Sequence, residues 1–218
     1  NNRVVVAPME TRGVLASFDA GSGRYTVHAP SQGANDVKVG IASALKVPPA
    51  DVHVLTPEVG GAFGIKIPAY PEYVLAAWAA RRLRRPVKWI ADRSDAFVSD
   101  GQGRDHVMEA ELALNEAGEF LAIRCHTLSN VGAFASATAY TIPTAGGTRC
   151  ATGVYRIPAW HAEVRAVMTN TVPVIAYRGA GKPEYNYMIE RVIDQAAREL
   201  QIDPVELRRR NVVPSAEM

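Results

Sequence analysis

The apolar residues of this chain change period several times, and each period predicts an element. Val4-Val5-Val6 is a short apolar run of strand type. The segments 13–18 and 24–28 flank Asp19-Ala20-Gly21-Ser22-Gly23, and two such runs around a Gly/Asp/Ser cluster predict a hairpin. Ser31 is placed as the N-cap of a helix reaching residue 46, with Val37, Ile41, Ala44 and Leu45 on one face. Val47-Pro48-Pro49 would stop that helix. Val52-His53-Val54-Leu55 alternates little and reads as a buried strand. A helix is predicted from Pro71 to Arg85, with Pro71 at its first position and Glu72 in its first turn. Its apolar faces carry Tyr73, Leu75, Ala76, Trp78, Ala79 and Leu83. Arg81, Arg82, Arg84 and Arg85 suit the negative end of its dipole.

The second half continues with a strand over 86–90. A hairpin follows, formed by 106–114 and 120–128 around Asn115-Glu116-Ala117-Gly118-Glu119. The stretch 129–152 is rich in small residues and reads as loop with one short helix. Strands are predicted at 155–157 and 161–168, on either side of a turn at Pro158-Ala159. A second irregular loop over 170–183 leads into a helix striped by Tyr187, Met188, Val192, Ala196 and Leu200. Asp203-Pro204-Val205-Glu206 then opens a short helix, with N-cap, proline and glutamate each in its preferred place. Hairpins mixed with a βα unit define an α+β (mixed α/β) class, read as one domain over residues 1–218.

Composition narrows the function classes. The 218 residues are 48% hydrophobic and 21% charged, an ordinary globular mixture that excludes collagen, coiled coil and disorder. With 24 basic and 22 acidic residues the net charge is +2, too balanced to signal nucleic-acid binding or a membrane surface. No apolar run reaches the ~18 residues of a membrane span. The only cysteines, Cys125 and Cys150, form neither a disulfide framework nor a zinc motif. They are expected as free thiols in a reducing, cytoplasmic compartment. The chain opens on Asn1 rather than methionine, which is expected of a fragment or a processed piece.

Candidate chemistry concentrates in two glycine loops. Gly60-Gly61-Ala62-Phe63-Gly64 lies between a strand and a helix, where glycines can turn main-chain N–H groups towards a ligand. It has neither the Gly-Lys-Ser/Thr ending of a P-loop nor dinucleotide-fingerprint spacing. Arg178-Gly179-Ala180-Gly181-Lys182 has similar character and could hold an oxyanion. Each loop can equally be a structural turn. His28, His53, His106, His126 and His161 show no metal-ligand spacing, so no protein-ligated metal is expected. Glu10, Glu58, Glu72 and Glu184 are the acids nearest the loops. Gln32, at a helix start, could cap locally or donate its amide into a site.

Taken in order, Met9-Glu10-Thr11-Arg12-Gly13, Gln32, residues 59–66, Tyr70-Pro71-Glu72, Arg85-Pro86-Val87-Lys88-Trp89, Thr169-Asn170-Thr171, residues 176–184 and the closing segment 203–211 form a pattern. It resembles the molybdenum-cofactor-binding region of the xanthine dehydrogenase, aldehyde oxidase and aerobic carbon monoxide dehydrogenase large subunits, over almost the whole chain. The resemblance implies a molybdenum hydroxylase whose metal sits on a molybdopterin, often the cytosine dinucleotide form, with no protein ligand. It implies oxygen taken from water and electrons passed to iron–sulfur and FAD partners. In the family the glutamine matching Gln32 hydrogen-bonds an oxo ligand. The backbone around Phe63 and Gly64 lies beside the metal and cofactor, and the loop matching Arg178 presents backbone and side chain from the other side. Gln32, Phe63 and Arg178 are therefore the expected catalytic residues. Gly60, Gly61, Ala62, Phe63, Gly64, Arg178, Gly179, Ala180 and Gly181 are expected to hold the cofactor.

Departures refine the expectation. Ala62 stands where a third glycine is usual. Ile67 occupies the place of a purine-recognising glutamate, and Gly179 that of a copper-binding cysteine, which disfavours xanthine and carbon monoxide and leaves aldehydes or N-heterocycles. The family's general-base glutamate lies in a later Gly-x-Gly-Glu-like loop with no counterpart here. The chain is accordingly expected to be the first half of the cofactor-binding region, inactive by itself, with the second half and the iron–sulfur and flavin subunits as partners. The alternative is a non-catalytic assembly module that keeps the fold without the cofactor.

Overall fold

The computed structural model describes residues 1–134 and 136–217; position 218 of the expected domain lies outside them. The chain divides into two compact units, one formed by 5–101 and the other by 1–4 together with 102–218.

In the first unit, β2 (Gly13–Asp19) and β3 (Arg24–His28) form the expected antiparallel hairpin. β4 (Val52–Leu55) joins β3 in parallel, and β5 (Val87–Ile90) joins β2 antiparallel, giving the order β4-β3-β2-β5. α1 (Ala34–Leu45) packs against β4, and α2 (Pro71–Leu83) against β2 and β5. The core between sheet and helices gathers Val14, Ala16, Tyr25, Val27, Val37, Ile41 and Tyr73. With its helices on one face only, the sheet alternates: Val52 and Val54 are buried while His53 and Leu55 are exposed, so β4 is a half-buried strand.

Three details differ from the sequence reading. Ser31 is not the N-cap of α1; that place falls to Gly33, and the buried Ser31 hydroxyl instead shares a hydrogen bond with Thr56 Oγ1 at 2.6 Å. On α2, Leu75, Trp78 and Leu83 are exposed, and Tyr73, Ala76, Ala77 and Ala80 face the sheet. Alanines let the helix approach the strands closely. A further helix, α3 (Arg93–Ser99), was not anticipated. It is opened by a capping box in which Asp92 and Asp95 each accept from the other's backbone N–H.

The second unit is built on β7 (His106–Leu114), β8 (Phe120–Gly132) and β9 (Ala159–Met168). The β7/β8 hairpin is antiparallel as expected, and β9 runs parallel to β8. Residues 155–157 are not a strand; Tyr155 makes one isolated bridge to Val212. α4 (Lys182–Leu200) lies against β7, with α5 (Pro204–Asn211) packed on it. Asp203 caps α5 by accepting from the N–H groups of Val205 and Glu206 at 2.9 Å, as its sequence signature predicts. Glu184, Tyr185, Met188, Ile189, Ile193, Ala196 and Ala197 are the buried positions of α4, while Tyr187 and Leu200 are exposed. β1 (Arg3–Val5) and β6 (Gln102–Arg104) form a separate two-stranded ribbon. Cys125 is buried, Cys150 is half-buried, and both are free. Among the described residues no helix is long and apolar enough to cross a membrane.

Candidate functional site

The first glycine loop leaves β4 and reaches α2 through residues 56–70. Glu10 fastens its near end. The Glu10 N–H donates to the Gly60 carbonyl at 3.0 Å, and the Gly60 N–H donates to Glu10 Oε2 at 2.9 Å. The same carboxylate oxygen takes the ammonium of Lys66 at 2.7 Å, whose side chain is fully buried. A Cβ on residue 60 would lie 2.5 Å from the Glu10 Cβ, so only glycine allows this approach. Beyond it the backbone turns left-handed at Gly61 (φ 96°), Phe63 (φ 53°) and Gly64 (φ 113°). Phe63 is not a glycine. Its positive φ stores strain of about 1–3 kcal/mol, as backbones at ligand sites often do.

Gln32 holds the far end of the loop. Its own N–H donates to the Lys66 carbonyl at 2.9 Å, and its side-chain Oε1 accepts from the Gly64 N–H at 2.6 Å. Because the oxygen is engaged, the amide nitrogen keeps two donor hydrogens without a partner among the described residues. The main-chain N–H groups of Gly61, Ala62 and Phe63 are likewise unengaged there. This corner therefore presents several donors, and the carboxylate beside them, that of Glu10, is paired with Lys66, which suits an electron-rich oxygen-bearing group.

The second loop lies in the other unit, just before α4. Gly179 (φ 98°), Ala180 (φ 41°) and Gly181 (φ 95°) are left-handed in succession. The Ala180 N–H closes a turn onto the Tyr177 carbonyl at 2.7 Å, and the Lys182 N–H one onto Gly179 at 3.1 Å. Arg178 is exposed, its guanidinium without a partner among the described residues. Each loop is thus internally ordered. Gln32 is brought against Gly64, and Arg178 to Gly181 form one tight turn.

Several other residues take structural roles. Glu58 is exposed, and His53 and His161 lie exposed on β4 and β9. Glu72 pairs with Arg12 at 2.9 Å. Glu184, one of the acids near the loops, is fully buried and pairs with Arg104 at 3.4 Å, its Oε2 having no partner among the described residues. Arg104, Lys66 and the clamp by Glu10 had no reading in the sequence. The compact Gly101-Gln102-Gly103-Arg104 stretch is the only local signal pointing to Arg104.

His106 is buried, and neither ring nitrogen has a partner among the described residues. Burial lowers its pKa below the usual value, against the opposing pull of Glu184 and Asp105. The unfolded state then binds the proton more readily, so stability falls as pH drops below about 6.5 towards the folded pKa. His106→Leu is expected to be less pH-sensitive than the parent between pH 8 and 5.5, by up to about 1.4 kcal/mol per pH unit. Urea midpoints at the two pH values check this; parallel profiles for parent and variant would refute it.

The match to a family model fits this site. Residues 1–212 match the molybdopterin cofactor-binding domain. The chain belongs to that family, within the molybdenum hydroxylases related to xanthine dehydrogenase and carbon monoxide dehydrogenase large chains. It is 36% identical to the carbon monoxide dehydrogenase large chain of Hydrogenophaga pseudoflava, over 97% of this chain and 26% of that one. It is 32% identical to the nicotine 6-hydroxylase large subunit of Paenarthrobacter nicotinovorans, over 97% and 26%. The crystal structure of quinoline 2-oxidoreductase from Pseudomonas putida 86 superposes with a TM-score of 0.89 at 33% identity, covering 99% of this chain and 28% of that one. The chain thus spans about a quarter of the length of these relatives. The expected α+β class and family are both borne out.

Proposed function

We propose that this chain forms part of the cofactor site of a molybdenum hydroxylase acting on an aldehyde or an N-heterocycle. The observation that carries the reading is the Gln32 corner. An amide fixed through its oxygen, beside three unengaged main-chain N–H groups, fits a polyanionic, oxygen-bearing molybdopterin. When bound, that group supplies the redox chemistry of hydroxylation. Gly60, Gly61, Ala62, Phe63 and Gly64 bring main chain close to it, and the unengaged N–H groups of Gly61, Ala62 and Phe63 donate hydrogen bonds. Gln32 adds a side-chain donor and orients against Gly64. In the other unit the tight turn of Gly179, Ala180 and Gly181 offers the N–H groups of Gly179 and Gly181 as cofactor donors, with Arg178 supplying a positive charge that has no partner among the described residues. Phe63, 43% exposed, offers an apolar ring beside these donors that can limit water.

Ile67 in place of an acid and Gly179 in place of a thiol favour substrates other than xanthine or carbon monoxide. The cytosine dinucleotide form, iron–sulfur and flavin partners, a second half of the cofactor-binding region and a cytoplasmic setting complete the proposal. Relatives named as large chains or subunits of complexes support the partners, and the two free thiols support the compartment.

Molybdenum and pterin per polypeptide, measured on the native assembly captured from its source cells, tests this. Close to one of each, with larger chains co-purifying, is the expected result. An assembly free of molybdopterin would overturn it and leave a non-catalytic module.

A further inference from the structure

Arg104 occupies an unusual position. It and Asp105 are consecutive non-glycine residues at φ 68° and 75°, a conformation costing about 1–3 kcal/mol each that persists only when the surroundings over-determine it. Here they do. The Asp105 carboxylate accepts from Arg3 Nε at 3.0 Å and Asn130 Nδ2 at 2.8 Å. The Arg104 side chain, 12% exposed, reaches across to the second glycine loop. Its Nη2 donates to the Arg178 carbonyl at 2.9 Å, and Nη1 to the Tyr177 carbonyl at 3.2 Å. The guanidinium also stacks 4.8 Å from the Tyr177 ring centre and faces the buried Glu184 carboxylate at 3.4 Å. The backbone shares the task. The Gln102 N–H donates to the Pro173 carbonyl at 3.1 Å, and the Ile175 N–H to the Gln102 carbonyl at 2.8 Å. A Cβ on Gly103 would lie 2.6 Å from the Tyr177 Cβ, so glycine there lets the two segments touch.

In a trans peptide the C=O and the next N–H point in opposite directions. Holding the carbonyls of Tyr177 and Arg178 against the guanidinium turns the amides of Arg178 and Gly179 away from it. Those two amides have no partner among the described residues. We propose that Arg104 is a positioning residue: by gripping two successive carbonyls it aims the Arg178 and Gly179 N–H groups outward as a donor pair for the cofactor. This rests on the molybdopterin reading above. Arginine suits the task because its planar fork reaches two carbonyls and a carboxylate at once, whereas lysine offers one point of contact. Glu184 faces the fork at 3.4 Å and offsets its charge.

The test uses the full-length subunit in its native assembly, as parent, Arg104→Gln and Arg104→Lys. Amide hydrogen exchange is read on the peptide covering 176–182, together with molybdenum content and the Mo(V) electron paramagnetic resonance signal. In Arg104→Gln the loop amides are expected to exchange at least about tenfold faster. The Mo(V) signal should shift or the metal content fall by more than half, and Arg104→Lys should restore part of each. Unchanged exchange in a folded variant overturns the proposal whatever the metal content. Faster exchange with a parental Mo(V) signal and full metal content overturns the part that concerns the cofactor. If Arg104→Gln does not assemble, Arg104→Lys alone decides, and parental exchange and signal in it count against the fork argument. A parent without molybdopterin would sink the proposed function instead; the exchange data would still show whether Arg104 holds the loop.

Discussion

Replacing Arg12 with methionine is expected to cost the 5–101 unit about 3–5 kcal/mol, the penalty for leaving a buried charge uncompensated. The side chain of Arg12 is fully buried, and so is that of Asp100, whose Oδ1 it contacts through Nε. Its other nitrogens reach Glu72 Oε2 and Ser99 Oγ, both at 2.9 Å, and its guanidinium lies 3.8 Å from the Tyr70 ring centre. Burial by itself would lower the arginine pKa, but the hydrogen bonds and charges of Glu72 and Asp100 outweigh it and raise it, so the group stays charged. The same burial pushes the Tyr70 phenol up to about 12, which keeps that ring neutral under the cation. Methionine would keep much of the volume while stranding Asp100, whose Oδ2 already has no partner among the described residues. Stability differences of that size are a large part of a domain's total of ~5–15 kcal/mol. Urea denaturation of Arg12→Met, Asp100→Leu and the double variant checks the account. The double variant should be more stable than the sum of the single losses predicts, by at least about 1 kcal/mol. Additive losses would mean that the pair is not coupled as its geometry requires.

Gly181→Ala is the second large effect. Gly181 caps α4 at φ 95°, a conformation that costs an alanine about 1–3 kcal/mol wherever it occurs. Space adds a second penalty. The new Cβ would lie 2.1 Å from the Ile142 carbonyl oxygen and 2.8 Å from the Gly147 nitrogen. The 142–147 segment has little room to retreat, because a Cβ on Gly147 would itself lie 2.5 Å from the Tyr185 ring. The loss is expected to exceed about 3 kcal/mol, with the Arg178 loop displaced. Gly23→Ala provides the comparison, since Gly23 has φ 72° and nothing within 4 Å of its would-be Cβ. It should lose only the conformational cost, about 1–2 kcal/mol. Thermal or urea unfolding of both variants separates strain from collision. Equal losses would show that the backbone around Ile142 yields freely.

Much of the local structure was legible because it rests on local rules. Turn clusters located the β2/β3 and β7/β8 hairpins. Pro71 and Asp203-Pro204 marked the starts of α2 and α5. α3 has an equally local signature in Asp92 and Asp95, but its seven residues carry no apolar stripe to mark it as a helix. Ser31 misled for the opposite reason. Its type suits a cap, but Thr56, 25 residues away, takes its hydroxyl. The exposed Leu75 and Trp78 show the same limit on α2: composition marks them as core, while close packing on the sheet selects alanine.

The sequence by itself determined the elements with caps, turns and proline stops, the two glycine loops as places of close approach, and the family through its ordered motifs. Those features depend on residues near one another along the chain, where dihedral preference and spacing suffice. Only the tertiary structure decided which side chains hold the loops. Glu10 reaches Gly60 across 50 residues and Lys66 across 56, Gln32 reaches Gly64 across 32, and Arg104 reaches Arg178 across 74. Contacts of that range are set by how sheets and helices pack, and a linear pattern of residue types carries no information on that distance.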